Sequence, residues 1–533
     1  MEQIKENKNV IKFLDNSKKA RIITLVILGI ISLSIKVLFF PSDLPFLGDA
    51  VGYFWYANDI SILGYFPLGH TSSTVSVAPP NNGWPGFLSL IFSLINSENF
   101  LDYVNAQRLT TIIISTLTII PLYYLLRKFM NGSFAIVGCA AFIFSPRLVE
   151  NSLLGLTEPL FLLLGITCLT LFLSNEKKLV VFSFAIAAIF SIVRYEGLLI
   201  IIPLSIIYFL RFGKNRKTFL TYGLAILIFL LIITPMAAIR METIGKDGFT
   251  SHIVHGPNYY SSMMEENDDS VLLHFISKGI TYLAKHLTFV TIPMFVIFIP
   301  YGFLMLVKNR DYKKWTMILF GITFLIPAFY AYSRGFEDTR YLFILYPIMC
   351  IFVGYSLQKF CRVINKSKFF VGSLSILVVV GIITINFTII EFEEERESFS
   401  ISKDVFQYTD TLNRSYSDLM YMKWSNEKFT QIKFPFLQEK LSENKKTKTI
   451  FINLDENTVS LEEYFIQSEK YKMTHLVLDE KNGNNKLFKK IFQEGITYPF
   501  LEKIYDSRDK GYKKIVKIFE IDYNEFKIFI SKD

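Results

Sequence analysis

Between residues 21 and 390 the chain alternates long apolar runs with shorter polar connections. A transmembrane helix needs about 20 mostly apolar residues, because each residue advances about 1.5 Å through a hydrocarbon core of about 30 Å. The pattern therefore predicts an all-α polytopic membrane domain of about eleven transmembrane helices, the third of which is interrupted by Ser145-Pro146. The runs are 21–40, 109–126, 134–144, 159–173, 179–193, 197–210, 219–239, 287–307, 315–332, 341–359 and 369–390.

The last part of the chain, 391–533, follows a different pattern in which charged and apolar residues alternate. An acidic helix-like segment begins at Glu391 and precedes four strand-like runs and two helix-like runs. This alternation predicts a small soluble α/β domain. The strand-like runs are 449–454, 474–479, 498–506 and 513–521, and the helix-like runs are 461–470 and 486–493.

Composition agrees with a membrane protein. The chain has 533 residues, of which 51% are hydrophobic and 19% are charged, whereas a soluble chain has roughly a quarter charged residues. The net charge is +9, but the basic residues of the apolar half form short clusters between runs, which argues against a nucleic-acid partner. The four cysteines and six histidines show neither a disulfide framework nor a zinc-ligand spacing.

The basic clusters also predict an orientation. Alternate connections, counted from the N-terminus, are rich in Lys and Arg, and such connections lie on the cytoplasmic side. Residues 1–20 are then a cytoplasmic segment, 21–390 a membrane domain with long outer loops at 41–107 and 240–286, and 391–533 an extracytoplasmic domain. We expect a multi-pass protein of the plasma membrane.

Ionisable residues collect at the predicted outer ends of the spans. An ionisable side chain at the centre of a membrane helix costs about 2.5–3.5 kcal/mol on insertion scales, so such residues indicate a functional site or lie at the interface. Solvation of helix ends is the alternative, and Glu158-Pro159 in particular is also typical of a helix start. The residues are Asp49, Arg147, Glu150, Glu158, Arg194, Glu196, Arg240, Arg334, Glu337, Asp338 and Arg340.

One chemistry uses this mixture of side chains. A guanidinium group can form two hydrogen bonds to a phosphate, so arginines suit a lipid-phosphate sugar donor. Transfer of the sugar also needs a carboxylate that takes the proton of the attacking hydroxyl, a contribution of typically 10²–10⁴-fold. The set therefore indicates sugar transfer from a lipid phosphate.

Several stretches, in this order, resemble a known family, the GT-C superfamily of glycosyltransferases that use polyprenyl-phosphate-linked sugars. Its relatives include protein O-mannosyltransferases, aminoarabinose transferases and the catalytic subunits of oligosaccharyltransferases. The stretches are Gly48-Asp49-Ala50-Val51-Gly52-Tyr53, Asn82-Gly83-Trp84-Pro85-Gly86, Ser145-Pro146-Arg147, Gly155-Leu156-Thr157-Glu158-Pro159-Leu160, Arg194-Tyr195-Glu196-Gly197 and Thr339-Arg340-Tyr341-Leu342.

The resemblance implies an inverting glycosyltransferase of the cell envelope that moves a sugar from a polyprenyl (dolichyl) phosphate to a protein, lipid or polysaccharide acceptor. Asp49 would be the general base, and Arg194 and Arg340 would hold the phosphate. Glu150 and Glu158 would bind sugar hydroxyls or position the acceptor. The further substrate-binding candidates are Tyr53, Arg147 and Glu196.

The cofactor and the class of function stay open. Many relatives have an adjacent acidic pair where this chain has Asp49-Ala50, so no cofactor is assigned and a divalent cation is left open. A transporter or flippase of lipid-linked sugars would also gather charges in the membrane, but it predicts mid-span charges and an internal repeat. A non-catalytic scaffold subunit would keep the fold and tolerate the loss of Asp49.

Overall fold

The computed structural model describes residues 17–46, 48–67, 82–97, 99–249, 269–291, 295–308, 311–364, 380–381, 383–408, 411–413, 450–452, 460–483, 486–493 and 498–531. Most of the predicted run 369–390 lies outside these residues, as does most of the predicted cytoplasmic segment 1–20.

Helices dominate the part of the chain before residue 391, as the apolar runs predict. Short 3₁₀ turns at Tyr195–Ile200, Val296–Phe298 and Thr339–Leu345 directly precede the helices that begin at Ile201, Ile299 and Tyr346. The helices are α1 (Lys18–Leu38), α2 (Asp49–Leu63), α3 (Gly83–Phe92), α4 (Phe100–Leu117), α5 (Ile119–Leu126), α6 (Gly132–Ile143), α7 (Pro146–Leu153), α8 (Glu158–Phe172), α9 (Lys177–Val193), α10 (Ile201–Phe212), α11 (Arg216–Ile244), α12 (Asp269–Thr291), α13 (Ile299–Lys308), α14 (Tyr312–Ser333) and α15 (Tyr346–Ile364).

By length and composition, six helices of the described chain can each cross a membrane, and two bent pairs raise the number to eight. Two further apolar runs form the shorter helices α8 and α9, of 15 and 17 residues. The predicted count of eleven is therefore not confirmed.

Two of the predicted runs are broken. The third forms α6 and continues after a 50° bend into α7, as Ser145-Pro146 predicts. The run 287–307 is not one straight span, because the chain bends by 101° between Leu273–Thr291 and Val296–Lys308. Apolar composition alone does not distinguish a continuous helix from a broken one of the same length.

The outward faces of the long helices are apolar. Ile23, Ile27 and Ile30 of α1 are exposed, as are Leu227 and Leu231 of α11. Exposure of such apolar surfaces to water is unfavourable, whereas their contact with hydrocarbon is not. The faces are therefore those of a protein surrounded by lipid, while the direction of insertion stays a prediction.

The loop after α1 folds into a compact structure at one end of the helical part. Its helices α2 and α3 pack around an aromatic cluster that includes Phe46, Trp55 and Trp84, each almost fully buried. Trp84 donates to the carbonyl oxygen of Gly155, which Gln107 also contacts at 2.7 Å. The loop is thereby fixed to the start of α8.

The C-terminal region contains a small mixed sheet, in agreement with the predicted α/β pattern. The strands run in the order β2-β1-β3-β5-β4, with β1 parallel to β2 and β3, and β5 antiparallel to β3 and β4. The elements are α16 (Glu393–Tyr408), β1 (Thr411–Asn413), β2 (Ile450–Ile452), α17 (Leu461–Lys470), β3 (His475–Asp479), α18 (Glu480–Gly483), α19 (Lys489–Phe492), β4 (Leu501–Asp506), β5 (Val516–Ile521) and α20 (Tyr523–Ile530).

Helix α16 joins this region to the loop after α1. Phe399 belongs to the same aromatic cluster as Phe46. Arg396 forms an ion pair with Asp43, in which Nε and Oδ2 are 2.8 Å apart. The C-terminal region is therefore attached at the end of the helical part where Asp49 lies.

Candidate functional site

Asp49 occupies the first position of α2, and a buried arginine fixes the chain that leads to it. Arg108 of α4 donates hydrogen bonds to the carbonyl oxygens of Pro41, Leu44 and Pro45. Gly48 then turns the backbone with φ of +58°, a value that L side chains rarely adopt. Asp49 follows in the first turn of the helix, where a negative charge is favourable.

Glu158 begins α8 and forms the buried centre of the candidate site. Its side chain is 3% exposed, and its Oε1 lies 2.5 Å from Nη1 of Arg194. Arg194 follows the last residue of α9, and its Nη2 lies 3.0 Å from Oε1 of Glu196. Arg194 also donates to the hydroxyl of Thr157. One guanidinium thus joins the end of α9 to the start of α8.

Arg340 reaches the same place from the turn before α15. Its Nε and Nη2 each lie 2.5 Å from Oδ2 of Asp338. Its Nη2 is 3.0 Å from Oδ2 of Asp49, and its Nη1 is 3.7 Å from Oε1 of Glu158. The structure therefore brings Asp49 and Arg340 into direct contact, although 290 residues separate them in the sequence.

These side chains line a cavity of about 220 Å³, here called the ion-pair cavity. Its lining has two guanidinium groups and four carboxylates, those of Asp49, Glu158, Glu196 and Asp338. Oε2 of Glu158 and Oε2 of Glu196 are buried and have no hydrogen-bond partner among the described residues. A buried oxygen without a partner is unfavourable, so the cavity has two acceptors available for a ligand with hydrogen-bond donors.

Tyr53 and Tyr341 are the aromatic walls of the ion-pair cavity, together with Tyr195. Burial raises the pKa of the Tyr53 hydroxyl well above its ordinary value. Tyr53 therefore keeps its proton and can act as a hydrogen-bond donor.

A second cavity of about 410 Å³, the large cavity, adjoins the first and shares Asp49, Asp338 and Arg340 with it. Arg147 and Glu150 line it and form an ion pair at 3.4 Å, in which both side chains are 38% exposed. Phe392 and Glu395 also line it, so the region after residue 390 forms part of the wall.

All eight of the sequence-predicted candidates line one of the two cavities. Asp49, Tyr53, Glu158, Arg194, Glu196 and Arg340 line the ion-pair cavity, and Arg147 and Glu150 line the large one. Their predicted chemical roles are not tested by this placement. Other outer-end charges lie elsewhere, since Arg240 donates to Asn82 and Glu337 pairs with Lys285.

Sequence reasoning did not select three residues that shape the site. Asp338 is one of the outer-end charges of the sequence, but its bond to Arg340 depends on the 3₁₀ turn and has no sequence signature. Glu395 falls within the predicted soluble domain. Arg108 follows the polar start of α4, and its position just before an apolar run was the available signal for a buried arginine.

Metal binding is not tested by the structure. Within the described ranges, no group of three or more His, Cys, Asp or Glu side chains is placed to hold a metal ion. A divalent cation therefore stays an open expectation.

Comparisons with known proteins support the resemblance inferred from the motifs. The profile of the family described as dolichyl-phosphate-mannose-protein mannosyltransferase matches residues 79–239. A search of the curated proteins gives no match.

Solved structures show the same fold at low sequence identity. The oligosaccharyltransferase of Archaeoglobus fulgidus in its apo form is 11% identical, with a TM-score of 0.56 over 87% of this chain and 70% of that one. The same archaeal enzyme in complex with an inhibitory peptide and a dolichol-phosphate is 12% identical, with a TM-score of 0.53 over 87% of this chain and 69% of that one.

ArnT from Cupriavidus metallidurans, bound to undecaprenyl phosphate, is 10% identical, with a TM-score of 0.54 over 92% of this chain and 97% of that one. The family match, these structural neighbours and the apolar helices together support a multi-pass membrane glycosyltransferase of the GT-C type.

Proposed function

We propose that this protein transfers a sugar, with inversion, from a polyprenyl-phosphate-linked donor to a hydroxyl of an acceptor on the outer face of the membrane. The observation that carries the proposal is the contact of Asp49 with Arg340 at the junction of two cavities, with Arg194 and Glu158 beside it. Two neighbours of this fold bind undecaprenyl phosphate and dolichol-phosphate, which supports a lipid-phosphate donor.

Asp49 is the proposed general base. The acceptor oxygen attacks the anomeric carbon, and Asp49 takes the hydroxyl proton as the new bond forms. The bond from the anomeric carbon to the phosphate oxygen breaks, and its electron pair leaves with the lipid phosphate. A carboxylate near the anomeric centre also stabilises the positive charge that develops there.

Arg340 and Arg194 are the proposed phosphate partners, because a guanidinium stabilises the negative charge of a leaving phosphate. The free oxygens of Glu158 and Glu196 would accept hydrogen bonds from sugar hydroxyls. The large cavity would admit the acceptor, because it is the wider of the two and reaches Asp49. Arg147 and Glu150 would then position the acceptor at its wall.

The test is sugar transfer by membranes that contain either the wild-type protein or Asp49→Asn. The membranes are incubated with radiolabelled polyprenyl-phosphate hexose, and the labelled product is identified. We expect the substitution to lower the transfer rate by about 10²–10⁴-fold, because it removes the proton acceptor.

Asp43→Asn is the matched control, since it removes a carboxylate of the same loop that pairs with Arg396 and lines neither cavity. It should transfer at the wild-type rate. Full activity of Asp49→Asn would make the base assignment wrong.

A further inference from the structure

The proposed base and the proposed phosphate partner touch each other in this structure. Oδ2 of Asp49 and Nη2 of Arg340 are 3.0 Å apart, which is a hydrogen-bonded ion pair. In a displacement with inversion, the attacking hydroxyl and the leaving phosphate lie on opposite sides of the anomeric carbon. The acceptor oxygen, that carbon and the leaving oxygen must therefore fit between Asp49 and Arg340, so their contact has to open before the sugar is transferred.

Neither edge of the Arg340 guanidinium can give two hydrogen bonds to a phosphate until a carboxylate leaves, because Asp338 occupies the edge of Nε and Nη2 and Asp49 occupies Nη2 of the other edge. Its Nε and Nη2 face Asp338, its Nη2 also faces Asp49, and its Nη1 faces Glu158. The guanidinium has five donors in one plane, and these three carboxylates surround it. Nη1 lies too far from Glu158 for a hydrogen bond, so a phosphate that takes two hydrogen bonds from Nη1 and Nη2 displaces Asp49 alone.

Asp49 is the carboxylate that is easiest to displace. Its side chain is 60% exposed and contacts Arg340 through one hydrogen bond among the described residues, so water can solvate it when it moves. Asp338 also accepts from the backbone N–H of Arg340, which fixes both residues in one turn. Glu158 is buried and held by Arg194. Moving either of those would leave a buried or strongly bonded charge without its partner.

Arg194 is a less favourable first partner for the phosphate. Its two carboxylates, Glu158 and Glu196, are both buried, and its Nη1 also donates to Thr157. If either carboxylate were displaced, water could not solvate it, so the lost bond to Arg194 would not be compensated. The difference in burial therefore favours Arg340 over Arg194.

We propose that the donor phosphate displaces Asp49 from Arg340, so that the donor binds first and its binding frees the base. This inference rests on the proposed function. Before the donor binds, Oδ2 of Asp49 accepts a hydrogen bond from Arg340, so the exchange frees this oxygen for the proton of the acceptor hydroxyl. In the absence of donor, Asp49 stays bound to Arg340, and the phosphate that will become the leaving group then takes its place there.

Equilibrium binding of radiolabelled undecaprenyl phosphate to the purified full-length protein tests this exchange. We expect Asp49→Asn to bind the lipid about 3–5-fold more tightly than the wild type, because binding no longer breaks an ion pair of up to about 1 kcal/mol. The same variant is expected to lose transfer activity. A gain in affinity together with a loss of rate would not follow from a merely damaged site.

Two control variants separate displacement from a general charge effect. Glu150→Gln removes a carboxylate of the large cavity that pairs with Arg147, and Asp43→Asn removes one that pairs with Arg396. Each should change the Kd by less than about twofold, as expected for an exposed charge that is largely screened. An equal gain in affinity for Glu150→Gln and Asp49→Asn would overturn the inference.

A double-mutant cycle assigns the effect to Arg340. In an Arg340→Gln background, Asp49→Asn should leave the Kd unchanged, because no ion pair remains to be broken. Thermal unfolding checks that this background is folded, and if it is not, the three single variants decide alone.

The outcomes also distinguish the inference from the proposed function. If the wild type binds no undecaprenyl phosphate, the lipid-phosphate donor is wrong and the inference fails with it. If the wild type binds the lipid and Asp49→Asn binds it no more tightly, only the displacement of Asp49 is wrong.

Discussion

The two cavities use the same types of side chain in different surroundings. In the ion-pair cavity, Glu158 is 3% exposed and lies 2.5 Å from Arg194. In the large cavity, Arg147 and Glu150 are 3.4 Å apart, and water reaches both of them. A buried ion pair cannot lose one partner without leaving an uncompensated charge, whereas water replaces a lost partner at the surface.

This difference suggests separate tasks for the two cavities. The buried ion pairs hold Arg194 and Glu158 in fixed positions, which suits recognition of one donor. The exposed pair of the large cavity can rearrange at little cost, which suits an acceptor that must enter and leave. Asp49 and Arg340 line both cavities and therefore stand where the two substrates would meet.

The largest effect on stability is expected for Glu158→Gln. This change leaves the guanidinium of Arg194 with Glu196 as its remaining carboxylate, and it should lower the free energy of unfolding by about 3 kcal/mol. Thermal and denaturant unfolding of the purified protein measure the change. Glu150→Gln is the matched control from the large cavity and should cost less than about 1 kcal/mol. Equal losses for the two variants would mean that burial does not distinguish the cavities.

Arg194→Lys should have an intermediate effect. A lysine keeps the positive charge, but it cannot bond Glu158 and Glu196 along the two arms of a planar group. Loss of one charge-assisted hydrogen bond should cost about 1.5–3 kcal/mol, read from the same unfolding curves. A variant as stable as the wild type would show that charge alone, without the geometry of the guanidinium, holds the cavity together.

The smallest effect is expected outside both cavities, where Asp43 pairs with Arg396. The Arg396 guanidinium lowers the pKa of Asp43 below its ordinary value of 3.8. Because the folded pKa is depressed, the pair stabilises the protein above pH 3.8, and this contribution is lost as the pH falls through the lower folded value.

Unfolding of the wild type and of Asp43→Asn between pH 7 and pH 3 measures this contribution. At pH 7 the two should differ by less than about 1 kcal/mol, because both side chains of the pair are largely exposed. The difference should shrink towards the acid end of the range. A difference that grew as the pH fell would contradict the assigned ion pair.

Local patterns predicted the elements better than they predicted the connections. The helix at 461–470 matches α17, because an amphipathic repeat and Ser460 as the N-cap are both visible in the sequence. The run 287–307 does not predict the break between α12 and α13 by its apolar composition, although Pro293, between Thr291 and Phe295, is a residue that interrupts helices. The strand β1 was also missed, as three residues are too few to give a pattern.

The composition of the candidate site was accessible from the sequence, but its pairing was not. Asp49, Glu158, Arg194 and Arg340 each follow or precede an apolar run, so their shared membrane face could be inferred. Which guanidinium meets which carboxylate depends on how the helices pack. That packing brings Arg340 into contact with Asp49, although most of the helices lie between them in the sequence. No local sequence feature predicts this contact.

Gly48, the residue before the proposed base, has φ of +58° and ψ of −137°. A Cβ at this position would meet no atom within 4 Å, so a larger residue would fit in the space available. The mirror image of this backbone conformation lies in the polyproline II region, which L residues adopt freely. Position 48 therefore selects for handedness rather than for size: D-alanine should be accommodated there, whereas L-alanine should strain the turn that presents Asp49.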